Sequence, residues 1–398
     1  MAKQEKKNKL WVKVLKYSGI SLLIVLSCCI LVVGSYALYV VCDYNRIEDN
    51  LVLKVEHSDS SKDLMQTNTE YSATTLNIGF GAYCDEYSFF MDSGYLEDGT
   101  KIHGKYGKAI SRESVIENTA GCINAATSLD SDFYLFQEVD TNSDRSYHYN
   151  QLEAILSNFG NFDSTFAVNF HSSYLFYPFN DPHGKSNAGL NTLSSFKINE
   201  ALRKRYTISD GFAKYTDLDR CFSVNRISVE NEKELVLINS HMSAYDEGGV
   251  IRNKQLNELN DFMLSEINKG NYVICAGDFN HDLLTYNPLY PQFTKENFPY
   301  KEMIKQPKPD WISYMFDEES NTVIGNQFSI YSGANEPTCR GCEIPWDRGF
   351  NFVTPVDGFI VSNNVEVKSC LTTRVDGENG FSYSDHQPVT LKFILKNN

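Results

Sequence analysis

The sequence predicts an α/β domain, read as a large sandwich of two packed sheets, standing behind one membrane-spanning helix. Three observations carry this reading. A single long uncharged run lies near the N-terminus, and beyond it short apolar runs of strand length recur with helix-like stretches between them. No Gly/Pro/Ser linker, internal repeat or low-complexity tract divides residues 74–398, so they read as one domain. With 398 residues, 42% of them hydrophobic and 22% charged, the chain can bury a large core and is not compositionally disordered.

The N-terminal run comes first. From Tyr17 to Cys42 there are 26 consecutive uncharged residues. As a helix rising about 1.5 Å per residue this exceeds the roughly 30 Å thickness of a bilayer's hydrocarbon. Lys3, Lys6, Lys7, Lys9, Lys13 and Lys16 precede it, and Asp43, Glu48 and Asp49 follow it. The positive-inside bias then makes residues 1–16 a cytoplasmic basic tail and residues 17–42 a single-pass transmembrane helix of the cell membrane, with everything after Asp43 extracellular. A cleaved signal peptide fits less well, because the run outlasts the usual apolar core and the small-residue site Ser35-Tyr36-Ala37 lies inside it. Cleavage before Cys28, after a loose lipoprotein-like Val25-Leu26-Ser27, would leave Ile30 to Val41 without a role. Residues 43–73, with the short apolar patch Leu51-Val52-Leu53 and Val55 ahead of a polar stretch, read as a stalk and lead-in to the domain at 74–398.

Within that domain, strand-like runs fall at Thr75–Ile78, Phe133–Phe136, Phe166–Asn169, Leu190–Leu193, Val224–Val229, Leu235–Ile238, Tyr272–Ala276, Val356–Val361 and Val389–Ile394. Helix-like stretches fall at Arg112–Leu129, Tyr149–Asn158 and Ile251–Asn268, the last with Leu256, Leu259, Met263 and Ile267 at helical spacing. A doubly wound parallel sheet is the rival architecture. It demands stricter strand–helix alternation than the stretch from Leu190 to Ile238 offers.

Charge narrows the function. Setting aside the six Lys and one Glu of residues 1–42 leaves 30 basic against 50 acidic residues, a formal −20, in residues 43–398. A basic nucleic-acid footprint is missing, and a phosphate substrate has to be held locally, by a bound cation and a few placed donors. Of the ten cysteines, Cys28, Cys29 and Cys42 lie in or beside the apolar run and the other seven are dispersed, which is no disulfide framework. Cys339 and Cys342 form a lone C-x-x-C without a second Cys/His pair, so a local disulfide or two thiols are expected rather than zinc.

Polar clusters sit within or just after the strand-like runs: Leu76-Asn77-Ile78, Phe136-Gln137-Glu138, Ile238-Asn239-Ser240-His241, Gly277-Asp278-Phe279-Asn280, Val356-Asp357-Gly358 and Ser384-Asp385-His386. Strand ends are where a rigid scaffold presents functional side chains. The inventory offers carboxylates and amide oxygens for a hard cation, two imidazoles for proton transfer and further carboxylates to orient them. Taken singly each residue has a plain structural reading, Asn77 as a turn, Glu138 as a solvated strand-end charge, His241 as a satisfied core histidine. The joint pattern is what points to a site.

This order of clusters resembles the deoxyribonuclease I-like endonuclease/exonuclease/phosphatase superfamily over about Thr74 to Leu395. The resemblance implies a four-layered α/β sandwich, two packed sheets flanked by helices, with the active site at one rim. It implies a membrane-anchored, Mg²⁺- or Mn²⁺-dependent phosphoester hydrolase, a phosphodiesterase that uses a metal-activated water with a His pair. Glu138 matches the principal metal ligand, and Asn77 and Asp385 its neighbours. Asp278 matches the residue that orients or deprotonates water, Asn280 a donor to phosphoryl oxygens, His241 and His386 the paired catalytic histidines, and Asp357 the carboxylate partner of His386. Asn239 and Ser240 are expected to shape the turn under His241.

Lys185, Asn187 and Arg340 occupy stretches where the superfamily places substrate-facing loops, and are candidate substrate-binding residues. The substrate is a phosphoester of nucleic acid or of a phospholipid headgroup. An extracellular nuclease and a sphingomyelinase-like or phosphoinositide phosphatase-like lipid hydrolase are the two alternatives, and no protein partner is evident. The aromatic stretch Phe166 to Phe179 is expected to pack in a sheet or to meet headgroups or bases. A non-catalytic binding module on the same fold predicts a replaced metal or His position, and none is replaced.

Overall fold

The computed structural model describes residues 2–244, 249–375, 377 and 379–397. The chain divides into two compact units, Met1–Asn45 and Arg46–Asn398. In the first, one helix runs Ala2–Asp43. Its stretch Trp11–Asp43 is the one helix among the described residues long and apolar enough to cross a membrane, and its 18-residue apolar window has no buried residue. The helix thus extends the expected 17–42 span backwards through the lysine-rich tail.

The second unit holds two seven-stranded sheets. In spatial order the first is Leu51–Val52, Glu200–Arg205, Cys221–Ser228, Glu234–His241, Tyr272–Asp278, Asp357–Ser362 and Phe328–Tyr331. The second is Val365–Thr372, Val389–Leu395, Glu70–Asn77, Phe133–Asp140, Asn187–Ser194, Asp163–His171 and Val55–Glu56. Each sheet is antiparallel apart from one central parallel pair. In the first, Glu234–His241 runs parallel to Tyr272–Asp278, joined by the helix Val250–Ile267. In the second, Glu70–Asn77 runs parallel to Phe133–Asp140, joined by the helix Arg112–Thr127. A parallel pair needs such a crossover, and both of its strands end at the same edge of the sheet.

Alternation along these strands builds three apolar layers. Leu235, Leu237, Ile274 and Ala276 face Ala73, Phe133, Leu135 and Leu391 in the core between the sheets. The intervening Val236, Ile238, Val273 and Cys275 pack outward on Leu256, Leu259 and Met263 of the crossover helix. Tyr134 and Phe136 do the same against Cys122, Ile123 and Ala126 of the other crossover helix and Ile155 of the helix Gln151–Asn158. Helix, sheet, sheet and helix are therefore four layers, as the resemblance implies. The doubly wound rival is excluded, because the strands fall in two sheets. Helix starts are fixed by local chemistry: Ser111 and Ser114 form a reciprocal cap before Arg112, and Asn150 caps the helix at Gln151.

The lead-in is more structured than a stalk. Leu51–Val52 pairs with Glu200–Arg205 and Val55–Glu56 with Asp163–His171, adding an edge strand to each sheet, and Met65 is fully buried in the central core. All ten cysteines are free thiols, Cys339 and Cys342 included.

Candidate active site

The two parallel pairs aim their last residues at one rim. His241 and Asp278 are cross-strand partners in the first sheet, and Asp278 also pairs with Asp357, which opens the neighbouring antiparallel strand. Asn77 pairs with Gln137 in the second sheet. The close approach at this rim needs a glycine: Gly277 has φ 149°, and a Cβ there would lie 1.9 Å from the carbonyl oxygen of Ser240. Glu138 is re-aimed by a bulge. Pairing with Asn187–Ser194 slips between Phe136 and Val139, and Glu138 sits at φ 54°. A one-residue bulge turns a side chain that would otherwise follow the sheet's alternation.

Asn77 links the two sheets' carboxylates. Its Nδ2 donates to Glu138 Oε1 at 3.2 Å and to Asp278 Oδ2 at 3.1 Å, while its Oδ1 accepts from Gly79 N at 2.9 Å. The Gly79 bond fixes which way the amide points, so the nitrogen of this expected metal ligand, not its oxygen, faces the carboxylates. Asp278 Oδ2 lies 3.5 Å from His241 Nε2 and 3.7 Å from His386 Nε2. His386 Nδ1 is 2.8 Å from Asp357 Oδ2, both groups buried. The loop carrying Asp385 and His386 is tied down by Ser384, whose Oγ donates to Asn77 O at 2.8 Å, and by Arg340 N, which donates to Asp385 O at 2.9 Å.

Electrostatically the two histidines diverge. Burial, with Arg220 nearby, holds His241 well below the ordinary imidazole value, and its Nδ1 is buried without a hydrogen-bond partner among the described residues. Burial acts the same way on His386, but Asp357, with Cys339, Asp385 and Asp278, outweighs it and holds that imidazole well above its ordinary value. Near neutral pH His386 is a cation and His241 is neutral. Burial, reinforced by Asp357 and opposed by His386, pushes the Asp278 carboxyl up to about 7. Burial, reinforced by Glu138, pushes Asp385 up to about 6. Carboxyls raised chiefly by burial in this way are costly to ionise, and that is a setting a divalent cation relieves.

The donor set fits such an ion. Asp278, Asp357 and His386 bring potential ligand atoms within 4.8 Å of one another. The Asp357–His386 hydrogen bond engages two of these groups and leaves Asp278, which shares the cavity wall with the carboxylates of Glu138 and Asp385. A cavity of about 260 Å³ opens over them, lined by Glu138, His241, Asp278, Asn280, Asp385 and His386 among others. A larger cavity, about 550 Å³ around Lys233, Tyr272 and Asn363, lies at the far ends of the strands and has no carboxylate–imidazole set.

The structure brings eight of the eleven residues singled out in the sequence into this one cluster, and Arg340 to the cavity wall. Lys185 and Asn187 do not line the cavity. Lys185 is exposed and its backbone N–H is bound by Asp144 at 2.7 Å. Asn187 Nδ2 is engaged by Thr141 Oγ1 at 2.7 Å, because this residue opens a strand whose first rungs are clamped to the segment after Asp140. Asn280 lines the cavity, and its Nδ2 donates to Met242 O at 2.9 Å. Asn239, instead of shaping a turn, bridges the sheets: it accepts from Gln137 Nε2 at 2.8 Å and donates to Phe136 O at 3.1 Å. Ser240 Oγ meets Tyr206 OH at 2.8 Å.

Sequence reasoning missed Tyr83, Arg145, His183 and Arg220 in the cavity wall. Arg145 grips Asp140 with two bonds of 2.7 and 3.0 Å and stacks 4.1 Å over Phe80. Arg220 donates to Met242 O at 2.9 Å. Arg220 immediately precedes the strand Cys221–Ser228, so a search of strand starts as well as strand ends would have found it.

No family model and no curated protein matches the chain. Among solved structures it is similar to an endonuclease/exonuclease/phosphatase from Beutenbergia cavernae, at 15% identity and a TM-score of 0.47 over 83% of this chain and 72% of that one. It is also similar to D. rerio TDP2 in complex with a single-strand DNA product, at 11% identity and 0.48 over 82% and 99%. The human Nocturnin catalytic domain with bound sulfate resembles it at 13% identity and 0.47 over 86% and 96%. Likenesses of this order bear on neither substrate nor mechanism.

Proposed function

We propose that this chain is a divalent-metal-dependent phosphoester hydrolase, working as a phosphodiesterase, held to the cell membrane by its N-terminal helix with residues 43–398 on the outer side. The observation that carries the reading is the pairing of a burial-raised carboxylate set with an Asp357-oriented, cationic His386 over one cavity. Glu138 and Asp385 would hold Mg²⁺ or Mn²⁺, with Asn77 fixing the Glu138 and Asp278 carboxylates beside them. When bound, the ion would polarise the phosphoryl group and offset the charge that grows on its oxygens.

The remaining steps belong to the chain. Asp278 Oδ2, 3.5 Å from His241 Nε2 and 3.7 Å from His386 Nε2 on the cavity wall, is placed to take a proton from the attacking water. His386 Nε2, charged and kept in one orientation by Asp357, donates to the ester oxygen and gives it the proton as the P–O bond to it breaks, while the water oxygen takes its place on phosphorus. Neutral His241, whose Nε2 lies 3.5 Å from Asp278 and 3.9 Å from Glu138 on the cavity wall, offers its one Nε2–H to a phosphoryl oxygen. Asn280, on the cavity wall, supplies one more neutral donor.

The test is turnover by the full chain in detergent on DNA, RNA, sphingomyelin, a phosphoinositide and a bis-aryl phosphodiester, with Mg²⁺ or with chelator. Turnover of at least one substrate that chelator abolishes and Mg²⁺ or Mn²⁺ restores is expected; full turnover in chelator sinks the reading. External protease on intact cells is expected to remove the part beyond Asp43 and spare an N-terminal tag, and the reverse pattern overturns the orientation.

A further inference from the structure

The segment between Asp163–His171 and Asn187–Ser194 continues those strands as a narrow hairpin. Ser172 N donates to Ser186 O at 2.9 Å, and Leu175 and Gly184 exchange backbone bonds of 3.1 and 3.0 Å. Beyond this clasp, Asp181 N donates to Pro178 O at 3.0 Å and closes the tip. The hairpin's inner side belongs to the site, since Leu175 and His183 line the cavity. Its tip is open to solvent: Phe176 is 49%, Tyr177 62% and Phe179 84% exposed. The Tyr177 ring lies 5.6 Å from that of Phe90, and Phe90 and the half-exposed Met91 are themselves part of the cavity wall. One side of the mouth is thus rimmed by aromatic rings and a thioether.

The aromatic run read in the sequence divides here. Phe170 is buried and Phe166 packs beside the helix layer, as sheet aromatics do. The tip rings add nothing to the core, and single exposed apolar residues are ordinary, but three within four positions on a clamped hairpin beside a catalytic mouth form a patch. The tip's one carboxylate, Asp181, is drawn back by Gly107 N at 3.0 Å and Lys108 at 3.5 Å, which leaves the patch without a free charge.

We propose that this tip is a membrane-docking surface: Phe176, Tyr177 and Phe179 enter the headgroup region of a phospholipid bilayer and set the cavity over a lipid headgroup, whose phosphoester is the bond cut. This rests on the phosphoesterase reading of the site and the anchor reading of the N-terminal helix. The helix supplies the bilayer. Charge supplies the mode, because the formal −20 of residues 43–398 opposes attraction to anionic lipid or to a nucleic-acid backbone and leaves apolar insertion. Aromatic rings are the side chains that favour headgroup depth.

The experiment uses the full chain, with Phe179→Trp in a Trp11→Phe background, reconstituted in phosphatidylcholine vesicles containing lipids brominated near the headgroup. Read against the Trp11→Phe parent, the introduced indole is expected to emit to the blue and to lose at least half its intensity to bromine, at low and at high salt. Unquenched, red-shifted emission from vesicle-bound protein overturns the proposal, as does quenching by a single-stranded oligonucleotide in place of lipid. Chain that fails to stay with the vesicles refutes the anchor and the proposal with it. In the activity arm, replacing Phe176, Tyr177 and Phe179 together by Ser is expected to lower turnover of vesicle phospholipid tenfold or more and to leave a soluble bis-aryl phosphodiester unchanged. Equal loss on both substrates overturns the docking role. Silence of the unmodified protein on both refutes the phosphoesterase reading, and the quenching result then decides docking alone.

Discussion

The two ends of the first sheet handle charge in opposite ways. At the end away from the cavity, Glu266 Oε1 and Oε2 meet the two arms of Arg226 at 2.8 and 3.0 Å, Lys269 at 2.8 Å and Asn271 at 2.9 Å, and Arg226 also binds Glu234 at 2.8 Å. Burial there would raise Glu266, but Arg226, Lys269 and Asn271 outweigh it and hold it at about 2. At the cavity end, burial and like charge push Asp278 up to about 7 and Asp385 up to about 6. Glu234 and His241 are the two ends of one eight-residue strand. The far end spends its carboxylates on stability, and the cavity end leaves them short of positive charge, which is how a site is readied for a cation and for proton transfer.

The largest effects should come from the cavity end and appear in rate. His386→Ala is expected to lower kcat by about 10³-fold or more, and His241→Ala by a similar order if the two act as one unit. The double variant should then be little worse than either single one. Asp357→Asn should fall short of His386→Ala, because it misorients the imidazole at 2.8 Å without removing it. Steady-state kinetics on the substrate identified by the panel checks all four, and near-wild-type turnover of either histidine variant would mean that the wrong imidazoles have been placed in the site.

At the far end the effect should appear in stability and leave the rate alone. Glu266→Gln removes the hub of a network whose carboxylate is 1% exposed, so a loss of about 3 kcal/mol is expected in urea unfolding, with kcat unchanged. The pH dependence follows from the sign of the shift. Glu266 is held at about 2, below its unfolded value near 4.3, so its contribution is complete above about pH 4.3 and is lost as pH falls toward 2. Unfolding midpoints measured across that window should fall less steeply for Glu266→Gln than for the natural protein. Parallel curves would show that the network is not what sets Glu266.

Legibility in the sequence also differed by region. Central strands such as Leu235–Ile238 and Tyr272–Ala276 are buried on both faces and read as continuous apolar runs. Strands nearer the edges, Glu200–Arg205 and Val365–Thr372, carry Lys, Arg and Glu on an open face and gave no such signal. The site clusters were legible because they flank the readable strands, ending them at Asn77, His241 and Asp278 and leading into them at Asp357 and His386. The inward turn of Glu138 depends on a bulge, and the amide direction of Asn77 depends on the N–H of Gly79; neither is visible in residue order. Arg145 escaped notice because its place in the wall is set by long-range packing on Phe80, and Arg220 because it precedes its strand instead of ending it. The aromatic run was read as a single unit, and only the hairpin geometry separates buried Phe170 from exposed Phe179.

The smallest effect bears most directly on the comparison. Asp385 has weak side-chain partners: Ser384 Oγ at 3.3 Å, Cys342 Sγ at 3.9 Å and His386 Nε2 at 3.9 Å. Its firm bond, from Arg340 N, goes to the backbone oxygen and survives substitution. Asp385→Asn keeps the shape and removes one of the crowded negative charges. In chelator the folded protein is therefore expected to hold its stability or to gain on the order of 0.5–1 kcal/mol, as relieved charge crowding does elsewhere, while turnover is lost. Added Mg²⁺ should raise the unfolding temperature of the natural protein, because a ligand that binds only the folded state stabilises it, and should raise that of the variant less. A loss of 2 kcal/mol or more in chelator, comparable with Glu266→Gln, would show that Asp385 is as well matched as the far-end carboxylate. The contrast between the two ends of the sheet, and with it the case for a cation at this rim, would then fail.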